Sequence, residues 1–489
     1  MSTIIGRLNE KIELEEAYKS HEAEFIAIYG RRRVGKTYLI KSFFQEKQGR
    51  YFQITGLYKG AMNKQLSRFA KELGASFYGG APLKSPTDWM TAFDDLTRAM
   101  TQINSKEKII LFFDELPWMA TRKSAILSAI EYFWNRHWSN DPRVKLIVCG
   151  SSASWIIKKI IKNRGGLHNR ITRKINLLPL DLHDTAQYLK HIGYPCNYQQ
   201  TCKLYMVMGG IPFYLKNIKK RYSIDQNIDN LFFHSNGMFF DEFDEVFSSL
   251  FENSEQYKEI ISLIASHKDG VSRSLIDEKT KLTSSGGTLT KRLENLENSG
   301  FISSFVPYGH KKIGLFYRIN DEFCYFYLRW IHSIKNQLKQ GKIKKYWKDI
   351  IKRPEYFSWQ GYVFENICYK HLSQIKKALD LDESSLASPW RYIPRKGTPD
   401  QGAQIDLLFD RQDRAITLCE IKYTEQPFKI DKLYAQQLNK KLEVFKNITR
   451  TDKQVFIALI AANGLSESVY SEEMISGTVL LKDLFQKTE

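Results

Sequence analysis

Apolar residues gather along the first third of the chain into short unbroken runs separated by stretches with helical spacing. Phe25 to Tyr29, Arg50 to Thr55, Ile109 to Phe113, Val144 to Cys149 and Lys174 to Leu178 read as strands. Tyr38 to Phe44 reads as a helix. A second helix is expected to open at Ser85-Pro86, with the serine as cap, and to carry Trp89, Phe93, Leu96 and Met100 on one apolar face. Strands without alternation, interleaved with helices, predict a parallel sheet covered on both faces. Residues 181–235 are helical throughout by the same criterion. Further on, helices are expected at 254–265, 273–281 and 287–298, then a hairpin of 301–306 and 313–317. Near the end, Gln404 to Phe409 and Ala415 to Lys422 lie either side of a four-residue turn at Asp410 to Asp413 and form another hairpin, preceded by a helix that carries Glu365.

Composition sharpens the picture. The chain has 489 residues, 43% of them hydrophobic, which suits a folded protein of about three domains. No apolar stretch is long enough to span a membrane, and the N-terminus lacks a signal core, so a cytoplasmic protein is expected. The six cysteines show no C-x-x-C pair, so neither a zinc site nor a disulfide framework is indicated. A net charge of +19 favours a polyanionic partner, nucleic acid before others.

The candidate chemistry begins where the first strand ends. Gly30, Arg31, Arg32, Arg33, Val34, Gly35, Lys36 and Thr37 spell G-x-x-x-x-G-K-T between a strand and a helix that opens with Tyr38. This is the phosphate loop of ATP-binding proteins. Its glycines let backbone N–H groups face phosphate, Lys36 is expected at the β- and γ-phosphates, and Thr37 at Mg²⁺. The third strand ends in Asp114 and Glu115. At the carboxyl edge of a parallel sheet, Asp114 is expected beside Thr37 as a second Mg²⁺ ligand. Glu115 is expected to polarise the attacking water. Ser151, just past the fourth strand, could sense the γ-phosphate or simply cap a helix. Arg170 is a candidate arginine finger, acting in cis or on a neighbouring subunit of a homo-oligomer, or a plain surface cation.

Together with Gly6-Arg7 and Glu10 before the loop, and Gly209-Gly210-Ile211-Pro212 after it, these segments resemble the archaeal-type ATPases of the AAA+/STAND-like group. The resemblance implies a P-loop domain with a helical lid over residues 1–235, in which Pro212 packs near the adenine.

Three short helices followed by a hairpin make residues 240–335 a winged helix-turn-helix. Thr288, Lys291 and Arg292 on the third helix, and His310, Lys311 and Lys312 on the wing, could meet DNA, or the module could be a spacer. Lys335 to Arg353 is strongly basic and is expected to be a solvated linker helix. In residues 336–489, symmetry about the hairpin turn sets Asp406 nearly opposite Glu420, and Lys422 shares the face of Glu420. Two carboxylates and a lysine at one spot suit divalent-metal phosphodiester chemistry, with Glu365 completing a metal set of Glu365, Asp406 and Glu420. The alternative is an ordinary hairpin with a Glu420–Lys422 salt bridge. The pattern Glu365, Ile405-Asp406, Glu420-Ile421-Lys422 resembles the PD-(D/E)XK nuclease superfamily, and the tail resembles the DUF234 domain that follows archaeal-type ATPase domains. The expectation is an ATPase whose nucleotide cycle governs a nuclease-like α/β domain on DNA. The rivals are a non-cleaving regulatory switch and a STAND-like signalling protein.

Overall fold

A computed structural model describes residues 3–121, 123–163, 165–280, 286–310, 314–343, 345–394 and 401–487. Two compact units emerge. The first holds residues 1–179 with 211–213 and 291–300, and the second holds 180–210, 214–290 and 301–489. The helices Tyr198–Met208 and Ile224–Phe232 are built into one body with the helix Glu322–Trp330, where Tyr214 meets Phe323 at 4.8 Å and Phe232 meets Phe326 at 5.3 Å.

The first unit is organised by five parallel strands, β1 (Glu24–Tyr29), β2 (Arg50–Thr55), β3 (Ile109–Asp114), β4 (Val144–Gly150) and β5 (Arg173–Asn176). Their spatial order is β2-β3-β4-β1-β5. β3 and β4 are buried throughout because helices cover both faces. Successive side chains of a strand point to opposite faces. Phe25 and Ala27 therefore join one core and Ile26 and Ile28 the other. On the second face lie α1 (Leu8–Lys19) and α2 (Lys36–Gln45). On the first lie α3 (Met62–Phe77), α4 (Trp89–Thr101) and α5 (Ile126–Arg136). The stripe Trp89, Phe93, Leu96 and Met100 is buried core, as its spacing requires. α4 starts three residues later than expected. The cap is Asp88, whose carboxylate accepts the Thr91 N–H at 2.8 Å, and Ser85-Pro86 stays in the preceding loop.

In the second unit, helices Ser254–Ala265, Arg273–Lys279 and the beginning of Gly286–Asn298 accompany a small antiparallel sheet. Its strands are β6 (Val271–Ser272), β7 (Ile302–Phe305) and β8 (Phe316–Ile319), in the order β6-β8-β7. Lys311, Lys312 and Ile313 lie outside the described residues. Leu289, Leu293 and Leu296 are buried as expected.

The region 335–353 is not one solvated helix. It breaks into Lys335–Lys339 and Tyr346–Ile350, and the reason is apolar. Trp347 is 1% exposed, stacks on Phe233 at 5.4 Å and donates its indole N–H to Asp225 at 3.1 Å.

The tail opens with α6 (Pro354–Lys370). A five-stranded sheet follows, made of β9 (Leu386–Tyr392), β10 (Ala403–Asp410), β11 (Ala415–Lys422), β12 (Gln454–Ala461) and β13 (Ile475–Leu480), with α7 (Lys432–Thr449) between β11 and β12. The spatial order is β13-β12-β11-β10-β9, antiparallel from β9 to β11 and parallel from β11 to β13. Trp390, Ile405, Ile416, Leu418 and Phe445 fill the space between this sheet and α7.

Candidate functional site

The loop from Gly30 to Gly35 turns tightly between β1 and α2. Gly30, Arg33 and Gly35 all have positive φ, at 141°, 78° and 97°. Gly30 has a second reason to be glycine, since a Cβ there would stand 2.2 Å from the Leu177 carbonyl oxygen. The turn delivers backbone N–H groups to the start of α2, a ready cradle for an anion. Arg7, also in a left-handed conformation, donates to the Val34 carbonyl at 3.2 Å and pairs with Glu10 at 3.3 Å. The Gly6-Arg7 and Glu10 segment thus ties the chain start to the loop. The Arg33 guanidinium lies 3.9 Å over the Phe213 ring, which puts the residue after Pro212 against the loop. Arg31 is 3% exposed and reaches the Arg32 carbonyl. Tyr38 is half exposed, and its hydroxyl donates to the Thr3 carbonyl.

Lys36 is buried, and its ammonium donates to the Gly30 and Arg31 carbonyls at 2.9 and 3.0 Å. Burial pushes its pKa down, against the pull of Cys149, Glu115 and Asp114. The Thr37 hydroxyl sits 3.0 Å from both carboxylate oxygens of Asp114. A hydroxyl and a carboxylate in contact at the carboxyl edge of a sheet suit a hard divalent cation. Glu115 has φ 50° and is gripped by Ser151, whose N–H donates to one oxygen at 2.9 Å and whose hydroxyl donates to the other. Arg170 lies in an exposed turn before β5.

Two partners of Asp114 escaped the sequence analysis. The Thr55 hydroxyl lies 3.3 Å and the Cys149 thiol 2.9 Å from its oxygens. Behind Thr55, Gln53 and Tyr51 continue a hydrogen-bonded line along β2. Thr55 stands in register with Asp114 across β2 and β3. Its position at a strand's carboxyl end was the available signal. Burial first, then Asp114, pushes the Cys149 thiol well above its usual value.

In the tail, β10 pairs with β11 from Asp410↔Ile416 to Leu407↔Cys419, and Asp406 and Glu420 are the residues next beyond the last pair. An Asp406 oxygen accepts the Ile421 N–H at 3.1 Å. Glu420 is 3% exposed and accepts from Lys441 at 2.6 Å, Tyr434 at 3.1 Å and Lys422 at 3.4 Å. Burial would raise the Glu420 carboxyl, but Lys441 and Lys422 outweigh it and hold it low. Asp406 is pushed up by burial and by Glu420. Glu365, on α6, is pushed up to about 8 by burial and by Asp406.

The four expected residues therefore share one electrostatic neighbourhood. Yet among the described residues no three His, Cys, Asp or Glu side chains are gathered closely enough to hold a metal ion. Lys422, Lys441 and Tyr434 occupy the oxygens of Glu420. Tyr434 and Lys441 were missed. They stand seven residues apart on α7, two turns along one face, a spacing legible once the helix is placed.

Residues 5–218 match a family described as an ATPase domain predominantly from Archaea, and residues 327–439 match DUF234, described as archaeal and bacterial proteins of unknown function. The chain thus carries a segment of the archaeal-type ATPase domain family followed by a DUF234 segment. It is 26% identical over 428 residues to the uncharacterized protein MJECL04 of Methanocaldococcus jannaschii, covering 86% of this chain and 88% of the relative. A 44-residue stretch is 46% identical to the uncharacterized ATP-binding protein MJ0423 of the same organism, covering 9% of this chain and 75% of that one. Among solved structures, the Walker-type ATPase PABY2304 of Pyrococcus abyssi superposes with a TM-score of 0.50 at 20% identity, over 67% of this chain and 96% of that chain. The last likeness concerns the fold. Among the described residues no helix is long and apolar enough to cross a membrane.

Proposed function

We propose that the chain binds and hydrolyses ATP, and that the nucleotide cycle governs a nuclease-like tail acting on DNA. The observation that carries the first half is the contact of Thr37 with Asp114 beside the buried Lys36 and the Ser151-held Glu115. Loop N–H groups and the start of α2 bind the phosphates, and Lys36 exchanges its carbonyl partners for phosphate oxygens. Thr37 and Asp114 would hold Mg²⁺, which when bound would supply charge neutralisation for phosphate. Glu115 accepts the proton of the attacking water, and Ser151 orients that carboxylate. Pro212 borders the base, and Arg170 is the candidate finger.

For the tail, the element order α6, β9, β10, β11, α7, β12 and the opposed Asp406 and Glu420 support a PD-(D/E)XK-like reading, with Lys422 on the same face. The helices of residues 254–298 and the sheet β6-β8-β7 support a winged helix that carries DNA. A second reading, a non-cleaving DNA-binding switch, is favoured by the three donors already seated on Glu420.

The deciding experiment incubates the purified protein with plasmid and single-stranded DNA in Mg²⁺ or Mn²⁺, with and without ATP, beside Lys36→Ala and Glu420→Ala. Cleavage that is lost in Glu420→Ala and altered in Lys36→Ala supports the nuclease. ATP hydrolysis without cleavage of any substrate selects the non-cleaving switch.

A further inference from the structure

A cavity of about 390 Å³ opens in the second unit between the hairpin β7–β8 and the strand β9. Its floor includes Glu365 and Asp406, so it adjoins the carboxylate site of the tail. Much of its wall is aromatic, with Phe305, Phe316, Tyr362, Tyr369, Trp390 and Tyr392. The remaining wall is polar and of mixed charge, with Lys268, Arg318 and Arg391 beside Asp269 and the two carboxylates. Arg318 lies between two rings, 4.3 Å over Phe305 and 3.6 Å over Tyr369, and Arg391 pairs with Asp269 at the rim.

The walls are braced. The Tyr308 N–H donates to the Pro389 carbonyl at 2.9 Å, and its ring packs 5.9 Å from Phe445. The Tyr369 hydroxyl donates to the Asp406 carbonyl at 2.6 Å. The hairpin, β9 and α6 thus hold the cavity open from three sides.

We propose that this cavity receives one unstacked base of a single-stranded nucleic-acid segment, setting the adjoining phosphate toward Asp406. Resting on the DNA-acting reading of the tail, this names the substrate class. A base offers a flat apolar face and a hydrogen-bonding edge, and it is joined to an anion. The cavity offers rings, polar groups and arginines. Its volume lies in the range of small-ligand pockets, about 300–1,000 Å³. A base enters such a pocket only when it has left the duplex stack, so single strands, ends and flaps are favoured over intact duplex. Sequence preference is expected to be weak, because every base has a face to stack.

The test uses the full chain in EDTA, so that no strand is cut. Three probes are compared: a single-stranded 12-mer with one 2-aminopurine, the same 12-mer annealed to its complement, and free 2-aminopurine deoxynucleoside monophosphate. The expected result is preferential binding of the single strand with a change in 2-aminopurine emission. Phe316→Ala should weaken that binding roughly 5- to 100-fold and abolish the emission change. Phe316→Tyr should restore both. Arg391→Ala, at an exposed position, should weaken binding without disturbing the fold. ATP hydrolysis should be unchanged in all three variants.

Equal binding of the single strand by wild type and Phe316→Ala overturns the proposal, as does monophosphate binding as tight as the 12-mer. Glu420-dependent plasmid cleavage alongside such a result would keep the nuclease reading and discard the pocket alone. Phe316-dependent single-strand binding without any cleavage would keep the pocket and discard the nuclease.

Discussion

Around the phosphate loop, each reactive group is already engaged by a neighbour of opposite character: Lys36 by two carbonyls, Thr37 by Asp114, and Glu115 by Ser151. Glu115→Gln keeps the shape of that side chain and removes its basicity. The variant is expected to bind ATP as wild type does and to hydrolyse it about 10²–10⁴ times more slowly, by phosphate release under single turnover. Glu365 has a different signature. A carboxyl whose pKa rises on folding, here from 4.5 to about 8, holds its proton more tightly in the folded chain. Stability therefore falls as pH climbs through that window. Glu365→Gln removes the penalty. Its melting temperature should match wild type near pH 4 and exceed it at pH 8, and equal melting at both pH values would contradict the assignment. Lys36, Thr37, Asp114 and Glu115 were legible in the sequence because a regular spacing and a strand end announce them. Thr55 and Cys149 were not, because a single hydroxyl or thiol at a strand end acquires meaning only from the strand beside it.

Among elements, the loop between β1 and α2 depends on the segment after β5. Gly30→Ala would drive a methyl group into the Leu177 carbonyl oxygen, and backbone has little room to yield. The expected outcome is loss of ATP binding, read by nucleotide fluorescence, together with a lowered melting temperature. The basic region from 335 to 353 misled the sequence analysis, since its many lysines hide Trp347 and Ile350, which are core. Trp347→Ala should cost about 3–5 kcal/mol in denaturant unfolding, a loss no solvated linker would show. The hairpin of β10 and β11 was readable to within a residue or two, because antiparallel strands about a short turn mirror each other. The α7 lysine that meets Glu420 was not readable, because a helix face cannot be aimed before its sheet is known.

Across the whole molecule, the net charge of +19 makes any DNA binding strongly dependent on salt. Single-strand affinity should fall linearly in logarithm with salt, while the Phe316→Ala decrement stays constant, since stacking releases no counterions. The parallel sheet and its covering helices could be anticipated from runs of apolar residues. The partition of the chain into units could not, because apolar surfaces carry no label for the partner they meet.

That partition makes the two units inseparable by scissors. Residues 211–213 and 291–300 count with the first unit although the chain on either side of them counts with the second. No single cut, by protease or by gene truncation, releases two whole bodies. A fragment ending at residue 179 leaves behind Phe213, the ring beneath Arg33, and should hold nucleotide less firmly than one ending at residue 235. The peptide thread passes from one body to the other and returns more than once, so covalent chain alone already joins the two at several points.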